Sequence, residues 1–118
     1  MRILLVDDEE EFVTTLAERL TIRGVEAEFA LSGQEALAKA EEKDYDLVVV
    51  DIKMPGIGGA EVMRRLEAKK PDQKFIVLTG HLEGFCDPEA AAAGRCFRLI
   101  KPTDIDTLMA MIQKIKGT

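Results

Sequence analysis

The sequence predicts a doubly wound α/β domain, a mostly parallel sheet between two layers of helices. Short apolar runs alternate with stretches of helical period five times along the chain. The most apolar of these runs lies near the middle, as a central strand buried on both faces requires. No linker, internal repeat or low-complexity tract breaks the pattern over 118 residues, so one domain spanning 1–118 is expected.

The first strand is Ile3 to Val6, which stops at five consecutive acids, Asp7 to Glu11. Phe12, Val13, Leu16, Ala17 and Leu20 then recur at helical spacing, and Gly24 offers a C-terminal cap. Val25 to Ala30 alternates in polarity like a half-exposed edge strand. Ser32 and Glu35 have capping-box spacing ahead of Ala36, Leu37 and Ala40. Leu47 to Val50 is the central strand. Pro55-Gly56-Ile57-Gly58-Gly59 is a loop by composition, followed by a helix with Val62, Met63 and Leu66 inward. Phe75 to Leu78 and Cys96 to Ile100 are the last two strands. Between them, Asp87-Pro88-Glu89 reads as an N-cap and helix start, leaving about two turns of alanine-rich helix. Thr103 with Asp106 is the expected cap of a final helix whose inner face is Ile105, Leu108, Met109, Ile112 and Ile115.

Composition narrows the function. There are 22 acidic side chains against 16 basic ones, a formal charge of −6, where a nucleic-acid interface needs a basic patch. No apolar run approaches the ~20 residues that span a bilayer. The Met1-Arg2 start leads into a run too short for a signal-peptide core. Cys86 and Cys96 form no CxxC pair, and His81 is the sole histidine, so a zinc site is hard to assemble. The two cysteines are expected as reduced thiols in or near the core of a cytoplasmic protein.

In an open parallel sheet, ligands bind beyond the carboxyl ends of the strands. The residues ending the apolar runs are Asp7 and Asp8, Asp51, Thr79, and Lys101 before Pro102. Carboxylates about 4 Å apart repel by on the order of 4 kcal/mol per pair at an effective dielectric near 20. A compensating cation is therefore expected, and hard oxygen donors favour Mg²⁺, with Mn²⁺ as a substitute. A metal, an ammonium and a hydroxyl around one carboxylate suit phosphoryl transfer. Asp51 is the candidate nucleophile, because it ends the most buried strand and stands outside the acidic run.

With these residues the chain resembles the receiver domains of two-component response regulators. The likeness is carried by Val6-Asp7-Asp8-Glu9, Asp51-Ile52-Lys53-Met54-Pro55-Gly56, Leu78-Thr79 and Ile100-Lys101-Pro102, four motifs in order across the whole chain. The resemblance implies a three-layer α/β/α sandwich of flavodoxin-like type, with a five-stranded parallel sheet in the order 2-1-3-4-5. It implies that Asp51 accepts a phosphoryl group from a phosphohistidine on a sensor histidine kinase or a histidine phosphotransfer protein. Asp8 and Asp51 would bind Mg²⁺ with the backbone carbonyl of Lys53, Asp7 assisting. Lys101 would contact the phosphoryl group and Thr79 would swing toward it. The implied product is a signalling switch, read by a downstream effector or a covalently linked output domain. The face formed by the fourth helix, fifth strand and fifth helix is the implied partner or homodimer surface.

Two positions depart from the family pattern. Arg98 stands three residues before Lys101, where an aromatic is usual, and the one-residue offset of Phe97 points it to the opposite, core-facing side. The stretch from Gly80 to Gly94 also holds Gly84 and Pro88, predicting a short fourth helix after a long mobile loop. The resemblance places Lys53 and His81 beside the pocket, and an exposed surface role for His81 is the simpler reading. Glu9 to Glu11 read as a solvated first helical turn.

Two other functions fit these residues less well. An aspartyl-nucleophile phosphohydrolase needs an acid–base carboxylate two residues after the nucleophile, and Lys53 occupies that place. A flavin or nucleotide binder needs a Gly-, Ser- or Thr-rich first loop, and Asp7 to Glu11 would repel phosphate.

Overall fold

The computed structural model describes residues 1–80 and 86–117. Its elements are β1 (Arg2–Val6), α1 (Glu10–Ile22), β2 (Glu26–Ala30), α2 (Gly33–Glu42), β3 (Leu47–Asp51), α3 (Gly59–Lys69), β4 (Lys74–Thr79), α4 (Pro88–Ala92), β5 (Cys96–Ile100) and α5 (Ile105–Lys116). The five strands form one parallel sheet in the order β2-β1-β3-β4-β5, as the resemblance implied.

The period-two alternation of the strands divides the core into two layers. Ile3 and Leu5 of β1, Leu47 and Val49 of β3, and Ile76 and Leu78 of β4 pack against α1 and α5. Leu4, Val6, Val48, Val50, Phe75 and Val77 point the other way, against α2, α3 and α4. All of β3 is buried because strands flank it and helices cover both faces. β2 and β5 are the sheet edges; β2 keeps Glu26 and β5 keeps Arg98 and Ile100 exposed.

Helix ends follow local chemistry. α1 closes on Gly24 at φ +85°, where the Gly24 amide donates to the Thr21 carbonyl and the Val25 amide to the Leu20 carbonyl. Ser32 Oγ accepts from the Glu35 amide at 3.1 Å, while the Glu35 carboxylate takes the Leu31 amide at 3.3 Å. The final helix corrects the expected Thr103–Asp106 cap. Asp104 is the N-cap and accepts from the Thr107 amide at 2.7 Å, because its carboxylate is the stronger acceptor and is ionised at a helix N-terminus. The inner face of α5 is otherwise as read, with Met109 half-buried against the same cluster.

α4 is shorter still than expected, five residues with Asp87 as N-cap and Pro88 at its start. The loop expected before it falls partly on residues 81–85, outside the described residues. The cysteine expectation is overturned. Cys86 and Cys96 do pack in and against the core, but as a disulfide with Cα atoms 5.6 Å apart. A short helix turning back at Gly94 returns the chain to its starting point, which brings positions ten apart together. Phe97 packs against the α1–α5 cluster, as its register required, while Arg98 is exposed on the α4 side.

Candidate functional site

The residues predicted to converge do converge, at the carboxyl ends of β1, β3, β4 and β5. Asp7 is one residue beyond β1, yet its amide still donates to the Ala30 carbonyl at 3.1 Å, so the sheet ladder fixes its backbone. Its Oδ1 accepts from the Glu9 amide at 2.9 Å, which turns the chain into α1. Asp51 ends β3, and its Oδ1 accepts from the Lys53 amide at 3.2 Å. Thr79 is buried at the end of β4. Lys101 follows β5 with its amide donating to the Thr79 carbonyl at 2.8 Å. His81 lies outside the described residues.

Asp7 is 1% exposed and Asp51 6%, whereas Asp8 is open to solvent. One carboxylate oxygen of each lies within 4.8 Å of the others, and this is the cluster of metal-ligating type found among the described residues. Lys101 sits among them: its Nζ is 2.8 Å from Asp7 Oδ2, 2.8 Å from Glu9 Oε1 and 3.5 Å from Asp51 Oδ2. Its ammonium also lies 5.0 Å from the centre of the Phe12 ring. Burial pulls the Lys101 ammonium toward neutrality, but the close carboxylates of Asp7 and Glu9, with Asp51 nearby, outweigh it, so its pKa is raised. Burial, with the Asp7 charge adding to it, pushes the Asp51 carboxyl up against the opposing pull of Lys101 and the Lys53 amide.

The residues present fit a hard divalent cation. Two nearly buried carboxylates and one exposed carboxylate supply oxygen donors with open water positions, the donor set Mg²⁺ takes. One lysine cannot neutralise four carboxylates, counting Glu9.

Three contributors escaped the sequence reading. Glu9 is not merely a solvated helix start but a partner of Lys101, and its place beside Asp8 in the same turn was the available signal. Phe12 lies under the lysine as well as against the core. Gly59 lets the start of α3 meet the end of β3: a Cβ there would lie 2.4 Å from the Asp51 carbonyl oxygen.

The chain matches the response regulator receiver domain family over residues 3–113. It is 35% identical over 108 residues to a response regulator receiver protein of Anaeromyxobacter sp. (strain Fw109-5), covering 92% of this chain and 45% of that one. It is 34% identical to the transcriptional regulatory protein ZraR of Salmonella typhimurium over 95% of this chain and 25% of ZraR. The chain thus spans less than half of either relative. Among solved structures, it is similar to the response regulator TrrA from Thermotoga maritima in complex with Mg(2+)-BeF, with 39% identity, a TM-score of 0.81 and 97% of each chain covered. The chemotaxis protein CheY4 of Vibrio cholerae gives 28% identity and a TM-score of 0.82, again over 97% of each chain. With the site and the comparisons in agreement, the chain belongs to the response regulator receiver domain family, the switch module of two-component signalling.

Proposed function

We propose that Asp51 is the phosphoacceptor and that Asp7, Asp8, Thr79 and Lys101 serve its reaction. The observation that carries this is the cluster of Asp7, Asp8, Asp51 and Lys101 among the described residues, with three carboxylates within 4.8 Å and Lys101 Nζ 2.8 Å from Asp7 and 3.5 Å from Asp51; Thr79 is buried at the end of the neighbouring strand. The Lys53 amide anchors Asp51 Oδ1, leaving Oδ2 on the Lys101 side to attack phosphorus. A new O–P bond forms as the N–P bond to the donor imidazole breaks, and the imidazole leaves. Lys101 then turns from Asp7 and Glu9 toward the phosphoryl oxygens, whose charge of about −1.5 to −2 exceeds that of either carboxylate. Thr79, at the end of the neighbouring strand, donates its hydroxyl to the same oxygens.

Asp7, Asp8 and Asp51, with the Lys53 carbonyl, would hold Mg²⁺, or Mn²⁺ in its place. When bound, the ion neutralises charge on the transferring oxygens. The similar Thermotoga maritima regulator, solved in complex with Mg(2+)-BeF, supports this choice of metal. The chain is its own substrate: it catalyses transfer onto Asp51 and later hydrolysis, and acts on no separate molecule. Receiver domains of this family work with histidine kinases and output domains. For this chain the donor is a sensor histidine kinase or a histidine phosphotransfer protein, and the reader is an effector or a linked output domain. A homodimer would use the α4–β5–α5 face. The setting is the cytoplasm; among the described residues no helix is long and apolar enough to cross a membrane.

Incubation with Mg²⁺ and acetyl phosphate, followed by intact mass, tests the reading. One phosphoryl adduct is expected, absent in Asp51→Asn and without divalent metal. An adduct that persists in Asp51→Asn, or none with any donor, would overturn it.

A further inference from the structure

The Cys86–Cys96 bond lies outside the phosphoacceptor cluster, and nothing in the proposed reaction uses it. It joins the residue before the N-cap of α4 to the first residue of β5, so the closed loop contains all of α4. Among the described residues, little else holds that helix. Five residues are far below the length at which a helix sustains itself. Asp87 makes no side-chain capping bond, and Ala90 is its one buried residue. Its C-terminal end is closed by the Gly94 amide to the Ala91 carbonyl and the Arg95 amide to the Ala90 carbonyl, at 3.1 and 2.9 Å.

The two sulfurs are not equivalent. Cys96 is 7% exposed and part of the α2–α3–α4 core layer. Cys86 is half-buried and so the more open of the two, and both cysteines line an open groove of about 390 Å³ between α3 and α4, beside Ala60 and Met63. An incoming thiolate meets Cys86 first. Disulfides are scarce in the cytoplasm, and those that form there in mesophiles are mostly catalytic or redox-sensing. That part of the argument rests on the cytoplasmic setting proposed above.

We propose that Cys86 and Cys96 form a reversible thiol–disulfide site for small dithiols or dithiol proteins, whose state decides whether α4 is fixed to the sheet. A thiolate of the dithiol attacks Cys86 Sγ, forming a mixed disulfide and releasing Cys96 as a thiolate that takes up a proton. The second thiol of the reductant then attacks its own sulfur in the mixed disulfide, freeing Cys86 and leaving the reductant oxidised. Two electrons pass from the dithiol to the protein, and oxidised glutathione reverses the step. The element released belongs to the α4–β5–α5 face proposed above for a partner copy; that face adjoins the phosphoacceptor rim, and phosphorylation at Asp51 would switch it for its reader, so thiol state and phosphoryl state would meet on α4.

The test is native thiol titration with amide exchange, on the whole chain and without any phosphodonor, so its failure is separate from failure of the Asp51 reading. Protein isolated without reductant should show no free thiol. Dithiothreitol without denaturant should release both cysteines and speed exchange at Ala91, Ala93, Gly94 and Arg95 by up to about 70-fold, leaving Leu4 to Val6 and Val48 to Val50 unchanged. Oxidised glutathione should restore protection. Cys86→Ser, which spares the buried Cys96, should exchange like the reduced protein and ignore dithiothreitol. A bond that opens only after unfolding is a static staple and overturns the proposal. So do thiols that stay free after oxidised glutathione, or exchange at α4 that is indifferent to reduction.

Discussion

The rim around Asp51 and the α4–β5 edge lie on one sheet but are built in opposite ways. The carboxylates of the rim are carried by β1 and β3, whose core residues are buried on both faces, and they are tied by ladder hydrogen bonds and by Lys101, which reaches in from the end of β5. The α4–β5 edge has a five-residue helix, an edge strand exposing Arg98 and Ile100, and a disulfide. Phosphoryl transfer depends on fixed positions, so it belongs on the stiff part. A responding face must change at low cost, so it belongs where few buried contacts hold the chain.

The contrast can be broken by removing what stiffens each region. Lys101→Met keeps an apolar stem over Phe12 but strips the cation from between two buried carboxylates. It should cost about 3 kcal/mol in denaturant unfolding, and added Mg²⁺ should recover more stability in this variant than in the wild type. An unchanged midpoint would mean that the rim charges are already solvated. Reducing the disulfide comes next, at about 2.5 kcal/mol for a loop of this size, with the loss confined to α4 in amide exchange. Gly59→Ala drives a methyl into the Asp51 carbonyl and should cost about 2 kcal/mol, slowing phosphorylation as well; normal folding with a normal rate would show that α3 need not sit so close.

The effect that is smallest at neutral pH lies at the far end of the sheet. Tyr45 is buried there, and burial, with the Glu28 carboxylate beside it, pushes its phenol up to about 12. In the unfolded chain it ionises near pH ~10. The folded state therefore keeps this contribution below pH ~10 and loses it as pH rises toward the folded value. Tyr45 is the only tyrosine and there is no tryptophan, so tyrosinate absorbance reads it directly. A midpoint near 10 in folded protein would contradict its burial.

Much of the rim was legible because an apolar run that ends on Asp7, Asp51, Thr79 or Lys101 announces both the strand and its carboxyl end. The core layers followed from the same alternation. Other features depend on choices that sequence does not settle locally. Thr103-x-x-Asp106 and Asp104-x-x-Thr107 overlap, and the stronger acceptor took the helix start. Glu9 looked like any acid in a first helical turn until the fold brought Lys101, ninety-two residues away, within 2.8 Å. The Cys86–Cys96 pairing required knowing that α4 is short enough to return the chain in ten residues.

Amide exchange before and after acetyl phosphate with Mg²⁺, in wild type and Asp51→Asn, tests the division of labour most directly. The account predicts changed exchange at Ala91 to Arg95 in the wild type, little change at Leu4 to Val6 and Val48 to Val50, and no response in Asp51→Asn. A wild-type adduct that leaves α4 unchanged, or an α4 response that survives in Asp51→Asn, would contradict it.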